Sequence, residues 1–256
     1  MRYAKRAIIG IVAANLCACT HTMQVKNLNA YTKSVSAPHK LIVALQDGAS
    51  GPDEEQYFTF VHEALATRPD VAQVILVHQD EAAAVTPDVV VKVQPSAKYD
   101  GSGWNYFITF PGFLLFTHAW NGYVYSADID TEVAVAKPGA AMTTSSIHTF
   151  YNMRHCDFTR GAVASSGWYT PFWGGLNLIF GFFMVPYDTD ATPEFQQAVR
   201  TAYGQYIANS IIEMANTSLA GGSAAEHTRA CAAYDPTSGA FHNGCGVLAP
   251  ILQPQA

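Results

Sequence analysis

The chain has 256 residues, 14 Lys/Arg against 20 Asp/Glu and a formal net charge of −6, which excludes a non-specific nucleic-acid binder, whose affinity rests on clustered positive charge. A hydrophobic fraction of 49% excludes wholesale disorder, and only 13% of the residues are charged, about half the usual share. The length suits one sizeable core with room for an appended subdomain.

The first twenty residues read MRYAKRAIIGIVAANLCACT. Arg2, Lys5 and Arg6 precede a short apolar run, Ala7 to Leu16, a secretory-signal pattern too short for a stable spanning helix. Leu16-Cys17-Ala18-Cys19 resembles the lipobox of bacterial lipoproteins: an aliphatic residue three before the cysteine, a small residue just before it, then the cysteine. The resemblance implies cleavage after Ala18 and a diacylglyceryl group on Cys19. Cys17 fits less well, since Leu16 would stand at the cleavage point. Loss of residues 1–18 removes three basic residues and no acids, leaving a mature charge of −9. Such a chain is not held to an anionic surface by charge. Acyl chains would have to hold it, and two or more make that anchoring stable.

Residues 19–38 read as a polar, lipidated tether ending in Ser-Ala-Pro. A first strand is expected at Lys40–Gln46, stopped by Asp47-Gly48. Tyr57, Phe58, Val61, Ala64 and Leu65 then recur at helical spacing, with acids in the first turn and start signals at Ser50, Pro52 and Asp53, predicting a helix over about 54–67. Strands follow at Val71–His78 and Val89–Val93, the latter closed by Pro95.

Residues 101–127 carry no Asp, Glu, Lys or Arg. The run is expected to hold a strand at Asn105–Phe110, a kink at Pro111-Gly112 and a turn at Asn121-Gly122. A strand Tyr123–Val135, a small-residue loop Pro138–Thr144 and a strand Ile147–Met153 come next. Residues 165–187 are a second uncharged run, rich in Phe and Trp. It is long enough for a bilayer span, but Gly167, Pro171, Gly174, Gly175 and Gly181 would break a helix. Three readings remain for it: a segment covered within the fold, a loop dipping into a membrane or partner, or a span. Thr192 as N-cap, Pro193 and Glu194 open a long helix over about 193–216, with Phe195, Val199, Tyr203, Ile207, Ile211 and Met214 on one stripe. Residues 220–256 read as an irregular tail. Cys231 and Cys245 could staple it by closing a loop of about 15 residues, worth roughly 3 kcal/mol. Cys156 reads as a small buried hydrophobe. The fold class is therefore α/β (α+β): one domain over 39–219, its mixed or antiparallel sheet packed by the two helices.

Catalytic chemistry is hard to find. There is no G-x-S-x-G; Ser165-Ser166-Gly167 reads as a loop. Asp128, Asp130 and Glu132 share one face of a strand, and Asp188/Asp190 precede the last helix as a turn. His155-Cys156-Asp157, with His148 nearby, lacks metal-site spacing. An enzyme would need a cleft in which His118, His148, Asp128, Asp157 or Asp188 converge. No catalytic residue, metal or cofactor is assigned.

The opening strand, helix and two strands, the W-x-x-F-I-T-F-P-G run at Trp104–Gly112, the A-W-N-G-Y at Ala119–Tyr123 and the closing helix resemble small Gram-negative outer-membrane lipoproteins of uncharacterised families. The early layout is similar to the α/β domain of lipoproteins that assemble secretion pores or activate peptidoglycan synthesis. The resemblance implies a periplasmic domain on acyl chains that binds other envelope proteins or itself. Thr20, which is not an inner-membrane-retaining aspartate, implies outer-membrane delivery. The expected interaction surface is Trp104, Phe113, Trp120, Trp168, Phe172, Trp173 and Phe182. An envelope hydrolase and a carrier enclosing an apolar ligand are the competing expectations.

Overall fold

The computed structural model describes residues 21–77, 85–109, 122–157 and 187–220, together with the backbone of two short strands at 233–234 and 241–242. In chain order these are β1 (His21–Val25), a 3-10 turn (Leu28–Tyr31), β2 (Leu41–Asp47), α1 (Pro52–Ala66), β3 (Val71–Val77), β4 (Val89–Gly101), α2 (Asn105–Thr109), β5 (Tyr123–Ala136), β6 (Thr143–Asp157), a 3-10 turn (Thr189–Ala191), α3 (Thr192–Leu219), β7 (Ala233–Tyr234) and β8 (Phe241–His242). β1 to β6 form one sheet in the order β1-β6-β5-β4-β2-β3. β2 runs parallel to both β3 and β4, and the remaining pairs are antiparallel. This is the single α/β domain with a mixed sheet and two packing helices that the periodicities predict. β7 and β8 pair with each other, antiparallel.

α1 and α3 cover one face of the sheet. Phe195, Val199, Tyr203, Ile207, Ile211 and Ile212 of α3 are fully buried, as are Tyr57, Val61 and Leu65 of α1. They meet Leu41, Val43 and Leu45 of β2, Val89, Val91 and Val93 of β4, and the inward residues of β5. Each fully buried aliphatic or aromatic side chain is worth about 1.5–3 kcal/mol, so this seam is the core. The opposite face carries Gln94, Ser96 and Lys98 of β4 opposite Glu132, Asp130 and Asp128 of β5, a polar surface suited to water.

Four expectations are corrected. Residues 21–31, read as part of a tether, form an edge strand and a 3-10 turn, and residues 33–37 form a strap over α3. The Tyr31 hydroxyl donates to the Phe150 carbonyl and accepts from the Phe150 N–H, both at 2.7 Å. Asn209 Nδ2 donates to the Lys33 carbonyl (2.8 Å), Asn216 Nδ2 to the Ser36 carbonyl (3.1 Å), and Lys33 pairs with Glu213. β4 runs through Pro95 to Gly101. The Val93 carbonyl accepts from Gly48 on the β2 side at 2.9 Å. Pro95, two residues on, therefore turns its nitrogen to the same side, past the last β2 pairing at Asp47–Val93, where no donor is needed. β6 starts at Thr143, inside the expected loop, because Thr143–Ser146 pair with Glu132–Val135 of β5. Finally, Asn105–Thr109 is a short helix, not a strand.

Helix starts differ in detail from their signals. Gly51 and Ala191 stand at the N-caps of α1 and α3 without side-chain capping bonds, and Pro52 and Pro193 occupy the first turns. Thr192 is thus inside α3. Its hydroxyl lies 3.1 Å from that of Tyr187.

Candidate functional site: the aromatic end of the sheet

The start of β1, the end of β6, the start of β5 and the end of β4 lie at one end of the sheet. The register shows it: His21 opposes Asp157, Tyr123 opposes His155, and Gly101 opposes Tyr125. α3 begins at the same end, where Glu194 Oε2 lies 3.7 Å from Nε2 of the buried His155. Tyr187, just before α3, stacks on Tyr99 with ring centroids 4.9 Å apart and meets Tyr125 edge-on at 5.1 Å.

Beyond β4 the chain folds tightly. Ser102 N–H donates to the Val124 carbonyl (3.1 Å), and Ser102 Oγ accepts from Trp104 N–H (3.3 Å). The buried Asn105 then clamps β5: its Nδ2 donates to the Val124 carbonyl (2.8 Å) and its Oδ1 accepts from the Val124 N–H (2.6 Å). This two-way bond lets an aromatic run of high strand propensity close into one helical turn. It leaves Trp104 69% exposed and Phe107 45% exposed, their ring centroids 5.4 Å apart. Gly122 has φ +70°, and a Cβ there would stand 2.8 Å from Cys156 Sγ and from Arg154 Cγ. Glycine is required both for that backbone and for that approach.

Behind this end lies a layer of tyrosines. The Tyr57 and Tyr99 hydroxyls are 2.7 Å apart, as are, at 2.8 Å, the Thr131 and Tyr203 hydroxyls. Burial pushes Tyr31 and Tyr99 up to about 12 and raises Tyr57, Tyr151 and Tyr203 further. These hydroxyls stay protonated and act as structural donors, not as acid–base groups near neutrality.

Of the expected interaction surface, Trp104 is placed and exposed. Phe113, Trp120, Trp168, Phe172, Trp173 and Phe182 lie outside the described residues, as do Cys19, His118 and the Cys231–Cys245 pair. Cys156 is buried, as expected. Phe107 is a second exposed ring that the strand reading of 105–110 obscured. Its i+3 spacing from Trp104 was the available signal.

The enzyme expectation meets a different geometry. His148 Nδ1 lies 2.8 Å from Asp130 and Nε2 lies 3.3 Å from Asp128, on the polar outer face. Both ring nitrogens thus face carboxylates, and His148, Asp128 and Asp130 form an exposed cluster outside any cleft among the described residues. Asp188 is occupied elsewhere, accepting from Asp190 N–H at 3.3 Å. An open groove of about 360 Å³ between α1 and α3, lined by Phe60, Glu63, Ala64, Thr67, Arg200, Thr201 and Gln205, is bridged by a bidentate Arg200–Glu63 pair at 2.8 and 2.6 Å. Among the described residues no group of three His, Cys, Asp or Glu could hold a metal ion, and no helix is long and apolar enough to cross a membrane.

No protein-family model and no curated protein matches the chain. Among solved structures, it is similar to the rare lipoprotein B of Shewanella oneidensis, with 17% identity over 70% of this chain and 97% of that chain and a TM-score of 0.36. The sheet and helices themselves carry the fold assignment.

Proposed function

We propose that the chain is an envelope lipoprotein, anchored through Cys19 in the outer membrane on its periplasmic side, with a structural or assembly role toward other envelope proteins. The observation that carries the reading is the spacing of signal, lipobox and fold. A basic n-region, an apolar run and Leu16-Cys17-Ala18-Cys19 are followed within two residues by the first strand, His21–Val25. Cleavage before Cys19 leaves the described domain intact.

The exposed Trp104 ring is of the type enriched in binding surfaces and supports an interaction role. Metabolic labelling with palmitate, read in the intact chain and in Cys19→Ala, tests the anchor. The expected result is label on the first and none on the second, with the second released from the membrane fraction. Equal labelling of both would overturn the anchor. Cross-linking in intact envelopes tests the role. Recovery of the protein only as an uncross-linked monomer, at every reagent length tried, would refute assembly.

A further inference from the structure

We infer that the end of the sheet bearing Trp104 and Phe107 rests on the same bilayer that holds the Cys19 acyl chains, with both rings in the headgroup layer. The inference rests on the lipoprotein reading above and adds an orientation and a contact surface to it.

Covalent reach is the first argument. Cys19 is two residues from His21, and two extended residues span at most about 7 Å. The headgroup layer on each side of the hydrocarbon core is about 5–7 Å thick. An acylated sulfur at the hydrocarbon boundary therefore puts the start of β1 at the headgroup surface. The strap leaves no slack, because residues 21–37 are fixed to β6 and α3.

Topology is the second. β1 starts where β6 ends and where β5 begins, and the end of β4, with Trp104 just past it, lies at that same end. β4 is three strand spacings from β1, roughly 14 Å. One end of the sheet thus carries both the attachment point and the two exposed rings. The opposite end carries the β5–β6 turn and the end of α3, joined where Lys137 Nζ donates to the Leu219 carbonyl at 3.1 Å.

Side-chain chemistry is the third. Trp is the residue type favoured at membrane interfaces, an apolar ring with a polar N–H. Asp100, Asp188, Asp190 and Glu194 stand at this end as well and outnumber Arg154, so attraction to anionic lipid does not drive the contact. It suits zwitterionic lipid and should be insensitive to salt.

The test uses the full acylated protein in phosphatidylcholine vesicles, with and without brominated acyl chains. Tryptophan emission of wild type minus that of Trp104→Phe isolates the Trp104 component. The expected component is quenched by brominated lipid, protected from aqueous iodide and unchanged by added salt. A component quenched by iodide and not by brominated lipid overturns the docking. The mass of the N-terminal peptide separates the two readings: a diacylglyceryl-modified Cys19 with an iodide-accessible Trp104 sinks the docking alone, whereas an unmodified Cys19 sinks the anchor and the docking with it. Protection of Trp104 in whole envelopes but not in pure lipid also overturns the bilayer as occupant and assigns the surface to a protein.

Discussion

Gly204 sits in the middle of α3, buried against α1, and its replacement by alanine tests how closely the two helices are held. A Cβ at this position would stand 2.5 Å from the Phe60 carbonyl oxygen, 3.1 Å from its carbon and 3.3 Å from Ala64 Cβ. The first neighbour is helix backbone, so no side-chain rotation relieves the clash. Restoring even 3.0 Å requires the helices to part by about 0.5 Å, and a gap of that size forfeits a quarter or more of the dispersion energy of each contact along the seam. Overpacking of this kind costs about 1–3 kcal/mol. Against it stands the gain of about 1 kcal/mol from Ala over Gly in a helix interior. The blocking atom is backbone, which puts the overpacking cost at the upper end of its range, about 2–3 kcal/mol. The expected net loss is therefore about 1–2 kcal/mol, a fall in Tm of about 2–8 °C for a domain of this size. Thermal and urea unfolding of the chain from residue 19 on, with Cys19→Ser, would measure it. Gly139→Ala is the control: Gly139 has φ +78°, and a Cβ added there meets nothing within 4 Å, so it isolates backbone strain of about 1–2 kcal/mol. A Gly204→Ala protein as stable as wild type, or more so, would refute the close helix contact.

Arg68 and Asp70 bind the strap and should control acid stability. Arg68 Nε and Nη2 donate to Asp70 at 2.7 and 2.8 Å, its Nη1 donates to Asn209 (2.6 Å), and Nη2 also reaches the Val35 carbonyl. The Arg68 hydrogen bonds hold the Asp70 carboxyl below its ordinary 3.8. This contribution is therefore complete above about pH 4 and lost as the pH falls through the depressed folded value. Asp70→Asn should lower Tm at pH 7 and flatten its decline below pH 4; an equally steep acid decline in both proteins would refute the pairing. Tyr203→Phe should cost about 1–2 kcal/mol by leaving the buried Thr131 hydroxyl without its partner, and Thr131→Val in the same chain should recover part of it in a double-mutant cycle. Additive losses would show that the two hydroxyls do not interact. At high pH the raised tyrosines act in the opposite direction from Asp70. Their contribution is whole below about pH 10, where the unfolded hydroxyls begin to ionise, and is lost as the pH rises through the folded values near and above 12. Tyrosinate absorbance should therefore rise together with loss of far-UV ellipticity, and a phase of buried-tyrosine ionisation that precedes unfolding would refute it.

The periodic parts of the fold were legible because burial has a period. β2, β3, β5, α1 and α3 appear within a few residues of where their apolar spacing puts them, and the inward stripe of α3 is the predicted one. What failed was held by backbone. Thr143–Ser146 has no apolar alternation and becomes strand through pairing with β5. Pro95 looked like a stop, and only the end of β2 opposite Val93 makes it harmless. Trp104–Thr109 has strand propensity but is wound into a turn by Asn105, whose partner, Val124, is nineteen residues away. β1 did carry a signal: Met23 and Val25 are partly buried while Thr22 and Gln24 face out, a short alternation masked by its polar surroundings. For the candidate site, Trp104 was legible as an aromatic in an uncharged run. Its exposure was not, because exposure depends on that distant clamp.

Replacing the expected tether by an ordered strap changes what the proposed anchor at Cys19 would do. A flexible linker of about 15 residues has an end-to-end distance of roughly 20 Å, enough for the domain to tumble beside the membrane. Two residues allow about 7 Å, and the linked end of the sheet can then face only one way. Cleavage before Cys19 would leave a charge of −9, which works against approach to anionic lipid. Two rings alone give a weak contact, so on the proposed anchoring the short link would set the orientation. Inserting about 15 Gly/Ser residues between Thr20 and His21 should leave the protein in the membrane fraction, since acylation is untouched. It should also lower the effective concentration of the Trp104 end at the bilayer, so that most of the brominated-lipid quenching of Trp104 is lost. Quenching that persists undiminished would show that the rings hold the surface without help, and that the length of the link is incidental.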